Sequence, residues 1–237
     1  MPIPIGLPCL SAYNGPSGPI PTLDMRCCVM RSSLLALPIL LFAVAGPGPA
    51  QEPTTTPYFP LKAGYQWTYR AGKEQVVVQV EKQVTLEFKR NEKGPLETAT
   101  GFELKMTSPQ GKFTEQVAVL DDGVYRFSSA GKTIKPPLRI LKLGTKGAPD
   151  WTVDSKTEEG KTISGKFVLG QEKLRLTING KAIDLDTYTA TCKEMQVDDQ
   201  QMSITYWYAK DYGLVKRHVK IGNTESTQEL EQFKTAP

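Results

Sequence analysis

Between Val76 and Phe88 the apolar residues return at every second position, and that period dictates a β-strand. Val76, Val78, Val80, Val84, Leu86 and Phe88 share one parity, broken only by Lys82. The other parity carries Gln79, Glu81, Gln83, Thr85 and Glu87, with Val77 as the exception. Successive strand side chains point to opposite faces, so the pattern predicts a half-buried strand with one wet face. At about 3.3 Å per residue it would reach roughly 40 Å, so it must curve or carry a bulge. Lys82 marks the expected bend.

The same period continues toward the C-terminus between turn signals. Strands are predicted over 101–107, 113–120, 124–128, 151–155, 161–169, 173–178, 183–197, 202–209, 214–221 and 224–233. Asp121-Asp122-Gly123 and Ser129-Ala130-Gly131 separate early strands, and Asn179-Gly180 is the strongest hairpin signal in the chain. Pro136-Pro137 reads as a rigid connector, and 138–143 is long enough for one turn of helix. No window carries a helical stripe. The expected class is all-β, a strongly curved antiparallel sheet or partly open barrel.

Two tracts echo one another. Leu61-Lys62-Ala63-Gly64-Tyr65-Gln66-Trp67-Thr68 resembles Leu143 and Gly147-Ala148-Pro149-Asp150-Trp151-Thr152. Further on, Asp121-Asp122-Gly123-Val124-Tyr125-Arg126 resembles Asp211-Tyr212-Gly213-Leu214-Val215-Lys216. Matched pairs in one order suggest two similar β-meanders, 58–137 and 138–237, sharing a core within a single domain over 58–237. The competing explanation is convergence, because Asp-x-Gly turns are common in β proteins.

Upstream, the composition changes. Residues 1–29 are crowded with Pro and Gly, cannot bury a core, and are expected to be disordered or to precede the true start at Met30. Residues 30–50 have the three parts of a secretory signal: Arg31, the apolar run Leu34 to Ala45, and Gly48-Pro49-Ala50 before Gln51. That run is shorter than the about 20 residues needed to span a bilayer. The expected mature chain starts at Gln51, with 51–57 as a flexible leader and no transmembrane segment. The expected location is secreted or periplasmic.

Losing Arg26, Arg31 and Asp24 takes 29 basic and 25 acidic residues to 27 and 24, a net charge of +3. The signs are interspersed, so there is no basic footprint for nucleic acid. Cys9, Cys27 and Cys28 fall before residue 50, leaving Cys192 alone and no internal disulfide. Cys192 is expected to be a buried, inert thiol.

The tract Thr205 to Arg217 holds the densest aromatics of the mature chain. Alternation sets Tyr206 and Tyr208 on one face and Trp207 on the other. Packing across strands is the favoured role, and lining an apolar groove is the functional one. This tract, with Tyr58-Phe59-Pro60-Leu61-Lys62-Ala63-Gly64-Tyr65-Gln66-Trp67-Thr68-Tyr69, resembles a family of exported bacterial domains of unknown function, some called TapB-like. The resemblance implies a curved antiparallel sheet, similar to lipoprotein carriers of the LolA type. It implies no catalytic residue.

Catalytic signals are weak. His218 is the only histidine, which excludes multi-histidine metal sites. It shares a strand face with Lys216 and Lys220 and is expected to be exposed, without a catalytic role. Asp121/Asp122, Asp184/Asp186 and Asp198/Asp199 are expected at turns and lack calcium-loop spacing. No phosphate loop, nucleophile elbow or dinucleotide fingerprint occurs, so no enzyme activity, cofactor or metal is expected. Two readings remain. One is an envelope domain binding a lipid or acyl chain on a concave face, with Trp67, Tyr69, Val78, Val80, Tyr206, Trp207 and Tyr208 as lining residues. The other is a structural or protein-interaction domain of the envelope with a self-filled core and another envelope protein as partner. An open cavity above about 300 Å³ favours the first, and a packed interior the second.

Overall fold

The computed structural model describes residues 55–144 and 149–236. The extension 1–29, the signal 30–50 and residues 51–54 of the leader lie outside the described residues. Twelve antiparallel strands follow one another around a closed barrel. They are β1 (Gln66–Ala71), β2 (Glu74–Phe88), β3 (Glu97–Ser108), β4 (Gly111–Leu120), β5 (Gly123–Ser129) and β6 (Lys132–Lys142), then β7 (Asp150–Thr157), β8 (Thr162–Ile178), β9 (Lys181–Val197), β10 (Gln200–Ala209), β11 (Gly213–Ile221) and β12 (Thr224–Lys234). Each strand pairs with its sequence neighbours, and β1 closes on β12. Closure removes the exposed strand edges that an open sheet would leave.

The all-β class expected from alternation is therefore observed, and no helix forms among the described residues. Several local expectations change. The 138–143 segment is not helical but belongs to β6. Pro136 and Pro137 also lie inside β6, at positions where neither edge forms a ladder. On one side Ile134 to Pro137 bulge past Phe127, because Arg126 pairs with Leu138 and Ser128 with Thr133. On the other, β6 pairs with β7 only at Ile134↔Thr157 and Lys135↔Lys156. Prolines without N–H groups lose no sheet hydrogen bond there. The two strands expected at 161–169 and 173–178 are one, β8, because β9 pairs with it continuously through Gly170.

The long β2 bends where Lys82 broke the pattern, but with a larger consequence. Val80 pairs with Leu104, and Lys82, two positions on, pairs with Glu103. The extra residue is a bulge, and it transfers the later side chains to the opposite face. Val76 and Val80 join the main core, whereas Leu86 and Phe88 join a second core with Ala118, Leu120, Tyr125 and Phe127. The expectation of one apolar face along β2 is thus corrected to two faces, one on each side of the sheet. β4 accordingly buries both parities, Val117 and Val119 in the main core and Ala118 and Leu120 in the second.

The main core fills the barrel with Trp67, Phe102, Leu104, Trp151, Ile163, Phe167, Met195, Ile204 and Tyr208 among others. Cys192 is buried in β9, and burial raises its thiol pKa, which fits an inert side chain. At the Asn179-Gly180 turn both residues have positive φ, 51° and 76°. The turn folds onto β12, with Asn179 N–H donating to Glu231 O at 2.9 Å and Phe233 N–H to Asn179 Oδ1 at 3.0 Å. The outer wall carries cross-strand ion pairs such as Lys216–Glu229 at 2.9 Å and Lys105–Glu81 at 2.7 Å. Charges there oppose the outward apolar band that a lipid-embedded barrel needs. No helix among the described residues is long and apolar enough to cross a membrane.

The two sequence echoes fall six strands apart. Trp67 and Trp151 open β1 and β7, and the two Asp-x-Gly turns lead into β5 and β11. Residues 138–142 belong to β6, so a division into six-strand halves falls between Lys142 and Asp150 rather than before Leu138.

Candidate interior site

One end of the barrel holds a small, partly open cavity, and five of the seven nominated residues line it: Trp67, Tyr69, Val78, Tyr206 and Tyr208. Val80 is buried in the core beside it without lining it. Trp207 faces outward, where its indole donates to Glu172 Oε2 at 2.8 Å and Lys216 Nζ sits 5.4 Å from its ring. Alternation alone separates Trp207 from Tyr206 and Tyr208, as expected.

The segment before β1 crosses the cavity and covers part of it. Asp211 N–H donates to Pro57 O at 2.6 Å, and Gly64 N–H to Val80 O at 2.9 Å, so both ends of this strap are tied to the barrel. Between the ties, Phe59, Pro60 and Leu61 face the cavity. Phe59 packs on Tyr208 with ring centroids 6.1 Å apart. Gly213 is required beneath the strap: its φ is +79°, and a Cβ there would lie 3.2 Å from Pro60 Cδ. The free volume behind the strap is about 70 Å³.

Buried polar residues complete the lining. Tyr206 pairs with Arg217 across β10 and β11, and Arg217 with Gln228 across β11 and β12. On the facing wall Leu104 pairs with Glu115, and Val117 with Arg126. Glu115, Arg126, Arg217 and Gln228 are each at most 9% exposed. Arg126 Nε lies 3.3 Å from Glu115 Oε2, an ion pair by distance without hydrogen-bond alignment. Ser129 Oγ donates to Glu115 Oε1 at 3.3 Å. Burial works against the Arg126 charge, but Glu115 together with the Tyr206 and Tyr208 phenols outweighs it and raises its pKa. Arg217 is lowered by burial, with nearby Arg126 adding to the effect. Burial raises the Tyr69 and Tyr208 phenols, and Tyr69 OH donates to Leu214 O at 2.9 Å.

These four polar residues were not among the nominated ones, although parity marks them. Glu115 alternates with Phe113, Val117 and Val119, and Arg217 with Val215 and Val219. A charge on the apolar parity of a strand was the available signal.

The other chemical candidates separate. His218 lies on the outer face, partly exposed, with Nδ1 2.9 Å from Thr227 Oγ1 and Nε2 4.0 Å from Glu225. It lines none of the clefts described below, and its ring partners are Thr227 and Glu225 rather than Asp184, Asp186 or Glu194. His218→Ala is expected to change stability by no more than about 0.5 kcal/mol in chemical denaturation. A loss above about 1.5 kcal/mol would show a structural role that this geometry lacks. Asp184 and Asp186 are not at a turn but on the outer face of β9, each 3.7 Å from a cation of β8, Arg175 and Lys173. Asp121 and Asp122 form the turn before β5, as expected, and Asp122 accepts from Arg90 at 2.9 Å, from Arg139 of β6 at 2.7 Å and from the Tyr125 hydroxyl of β5. Among the described residues no group of three or more His, Cys, Asp or Glu could hold a metal.

Outside the barrel, two open clefts of about 530 and 550 Å³ meet at Pro136 and Pro137. The first lies along the unpaired stretch between β6 and β7 and is lined by Arg90, Lys93, Lys135, Arg139 and Lys156 against Glu92 and Asp154. The second has Leu86, Phe88, Leu96 and Phe127 in its lining, from the outer core that the β2 bulge creates.

No protein-family model matches this chain. No curated protein matches it in sequence. The TapB-like resemblance therefore rests on its two tracts. Two solved structures are similar: a putative lipoprotein from Parabacteroides distasonis, at TM-score 0.46 and 14% identity, and a putative exported protein with a YmcC-like fold from Bacteroides fragilis, at TM-score 0.40 and 15% identity. Each covers 75% of this chain and 98% of its own. Likeness at that level carries no argument about what this chain binds or does.

Proposed function

We propose that this chain is an exported, non-catalytic β-barrel domain of the bacterial cell envelope that acts by engaging another protein through its outer surface. The observation that carries this reading is the filled interior. About 70 Å³ is free inside the barrel, far below the few hundred cubic ångströms of a ligand pocket. The interior is packed by the chain's own aromatics and partly covered by Phe59 to Leu61, which favours the self-filled domain over the lipid carrier. The signal-like stretch at 30–50 supports export. The concave space the molecule does offer lies outside, in the two joined clefts beside the loosely paired β6 and β7.

Native mass spectrometry of the protein purified from the envelope of a bacterial host tests this. The expected spectrum is a polypeptide starting at or close to Gln51 with no bound lipid mass. A stoichiometric acyl-lipid adduct would overturn the reading in favour of a carrier. A mature protein retaining residues 1–29 would overturn its export step.

A further inference from the structure

The barrel closes through one weak seam. β6 and β7 pair only at Ile134↔Thr157 and Lys135↔Lys156, with Glu158 N–H donating to Thr133 O at 3.0 Å just beyond. Toward Lys142 and Asp150 the ladder stops. There Arg139 O accepts from the Trp151 indole at 3.0 Å, and no β7 residue pairs with Arg139. On its other side β7 is regular and pairs with β8 from Asp150 to Lys156 without a bulge. Leu169 N–H donates to Pro149 O and Thr157 N–H to Lys161 O, so the odd-numbered residues of β7 are those bonded to β8. The backbone groups of Thr152 and Asp154 therefore point the other way, toward the cleft of about 530 Å³ that both residues line. Among the described residues no ladder partner meets them. An unpaired strand edge is a template for another extended chain.

The charges around that edge indicate what the extended chain carries. Lys135 and Lys156 are direct cross-strand partners and both are exposed. Like charges set opposite one another destabilise a sheet. Neither lysine makes an ion pair among the described residues, and nor does Lys93 in the same lining. Arg90 and Arg139 also line this cleft, but Glu97, Asp121 and Asp122 already occupy them. The cleft has two carboxylates of its own, Glu92 and Asp154. Asp154 follows Lys156 on the outer face of β7, so an acidic side chain from outside fits at the lysine pair and not further along. The second cleft shares Lys135, Pro136, Pro137 and Lys156 with the first and adds an apolar wall that includes Leu96, a leucine 64% exposed.

We propose that the seam between β6 and β7 is a strand-addition site for an extended acidic segment of a partner protein. The segment pairs its backbone with Thr152 and Asp154 of β7. It sets an Asp or Glu side chain on Lys135 and Lys156, and an apolar side chain of the same outward parity against Leu96. Main-chain hydrogen bonds supply the affinity in this mode, and the side-chain positions supply the selectivity. The acidic group also relieves the repulsion between the two lysines. This site specifies the surface used in the protein-engaging function proposed above, and it rests on that reading.

The test selects short random peptides displayed on phage against the exported protein, then measures the enriched sequences as synthetic peptides by fluorescence anisotropy. Enriched peptides are expected to alternate β-branched or apolar residues and to carry Asp or Glu. Thr152→Pro removes an N–H that faces the cleft and no bond to β8, so it should weaken their binding about fivefold, the worth of one main-chain hydrogen bond. Lys156→Glu changes no backbone and should weaken acidic peptides about threefold or more. That variant decides the matter if Thr152→Pro does not fold. Amide hydrogen exchange reports the edge directly: Thr152 and Asp154 should exchange fast in the free protein and slowly with peptide bound. Slow exchange at both in the free monomer overturns the proposal, because the edge is then already covered. Binders indifferent to both variants also overturn it, while leaving the protein-engaging reading intact. A self-association abolished by Thr152→Pro assigns the edge to a second copy of this chain and overturns the foreign segment. A stoichiometric acyl-lipid adduct in the native mass spectrum removes the underlying reading itself.

Discussion

Replacing Trp67 or Trp151 by alanine is expected to cost about 3–5 kcal/mol each, the range for removing a buried tryptophan or phenylalanine. The two side chains do the same work at positions six strands apart. Trp67 is 6% exposed, stacks on Phe233 at 5.4 Å, and donates its indole N–H to Tyr212 O at 2.7 Å. Trp151 is 4% exposed, stacks on Phe167 at 5.2 Å, and donates to Arg139 O at 3.0 Å. Each hydrogen bond ties the indole to backbone outside its own strand. For Trp151 that backbone belongs to β6, across the seam where only two residue pairs form. Phenylalanine replacements separate packing from hydrogen bonding: they should recover most of the loss and leave about 1 kcal/mol for the missing donor. Urea denaturation of both series gives the comparison. If one alanine variant leaves Tm unchanged, the two tryptophans are not structural equivalents, and the picture of two matched meanders loses its main support.

The parts of the fold legible in the sequence were those in which each residue decides its own conformation. Asn179-Gly180 and Asp211-Tyr212-Gly213 announce turns because positive φ is available to them at low cost, and both turns form. The split of Tyr206 and Tyr208 from Trp207 follows from pleating alone. What was not legible depends on partners distant in the chain. Whether Lys82 bends β2 or reverses its faces is decided by the register against Glu103 and Leu104. Prolines normally end a strand. Pro136 and Pro137 remain within β6 because their neighbours on both sides make no ladder there, which no local rule could anticipate. The interior site was half visible. Aromatics on an apolar parity were read as lining residues, whereas Glu115, Arg126 and Arg217 on the same kind of parity were not nominated. Composition favours that default, since charged residues are rarely buried.

Those buried charges give the second large effect. Glu115→Gln is expected to destabilise the protein by about 3–5 kcal/mol, because it leaves Arg126 in the interior without its carboxylate. The substitution preserves shape, so the loss measures charge rather than packing. Its proper contrast is Asp184→Asn on the outer wall, where the partner Arg175 lies 3.7 Å away and both side chains are more than 70% exposed. Water and salt screen that pair, and its removal should be barely measurable. Burial is the only difference of kind between the two pairs, so the ratio of the two losses isolates desolvation. Combining Glu115→Gln with Arg126→Met removes the pair together, and the double variant should be more stable than Glu115→Gln alone. That sign follows because an unpaired buried charge costs more than an absent pair. Denaturant titration of the three interior variants decides it. A Glu115→Gln loss below about 1 kcal/mol, or a double variant that is simply additive, would mean that water reaches these groups and that the interior is not the low-dielectric space described here.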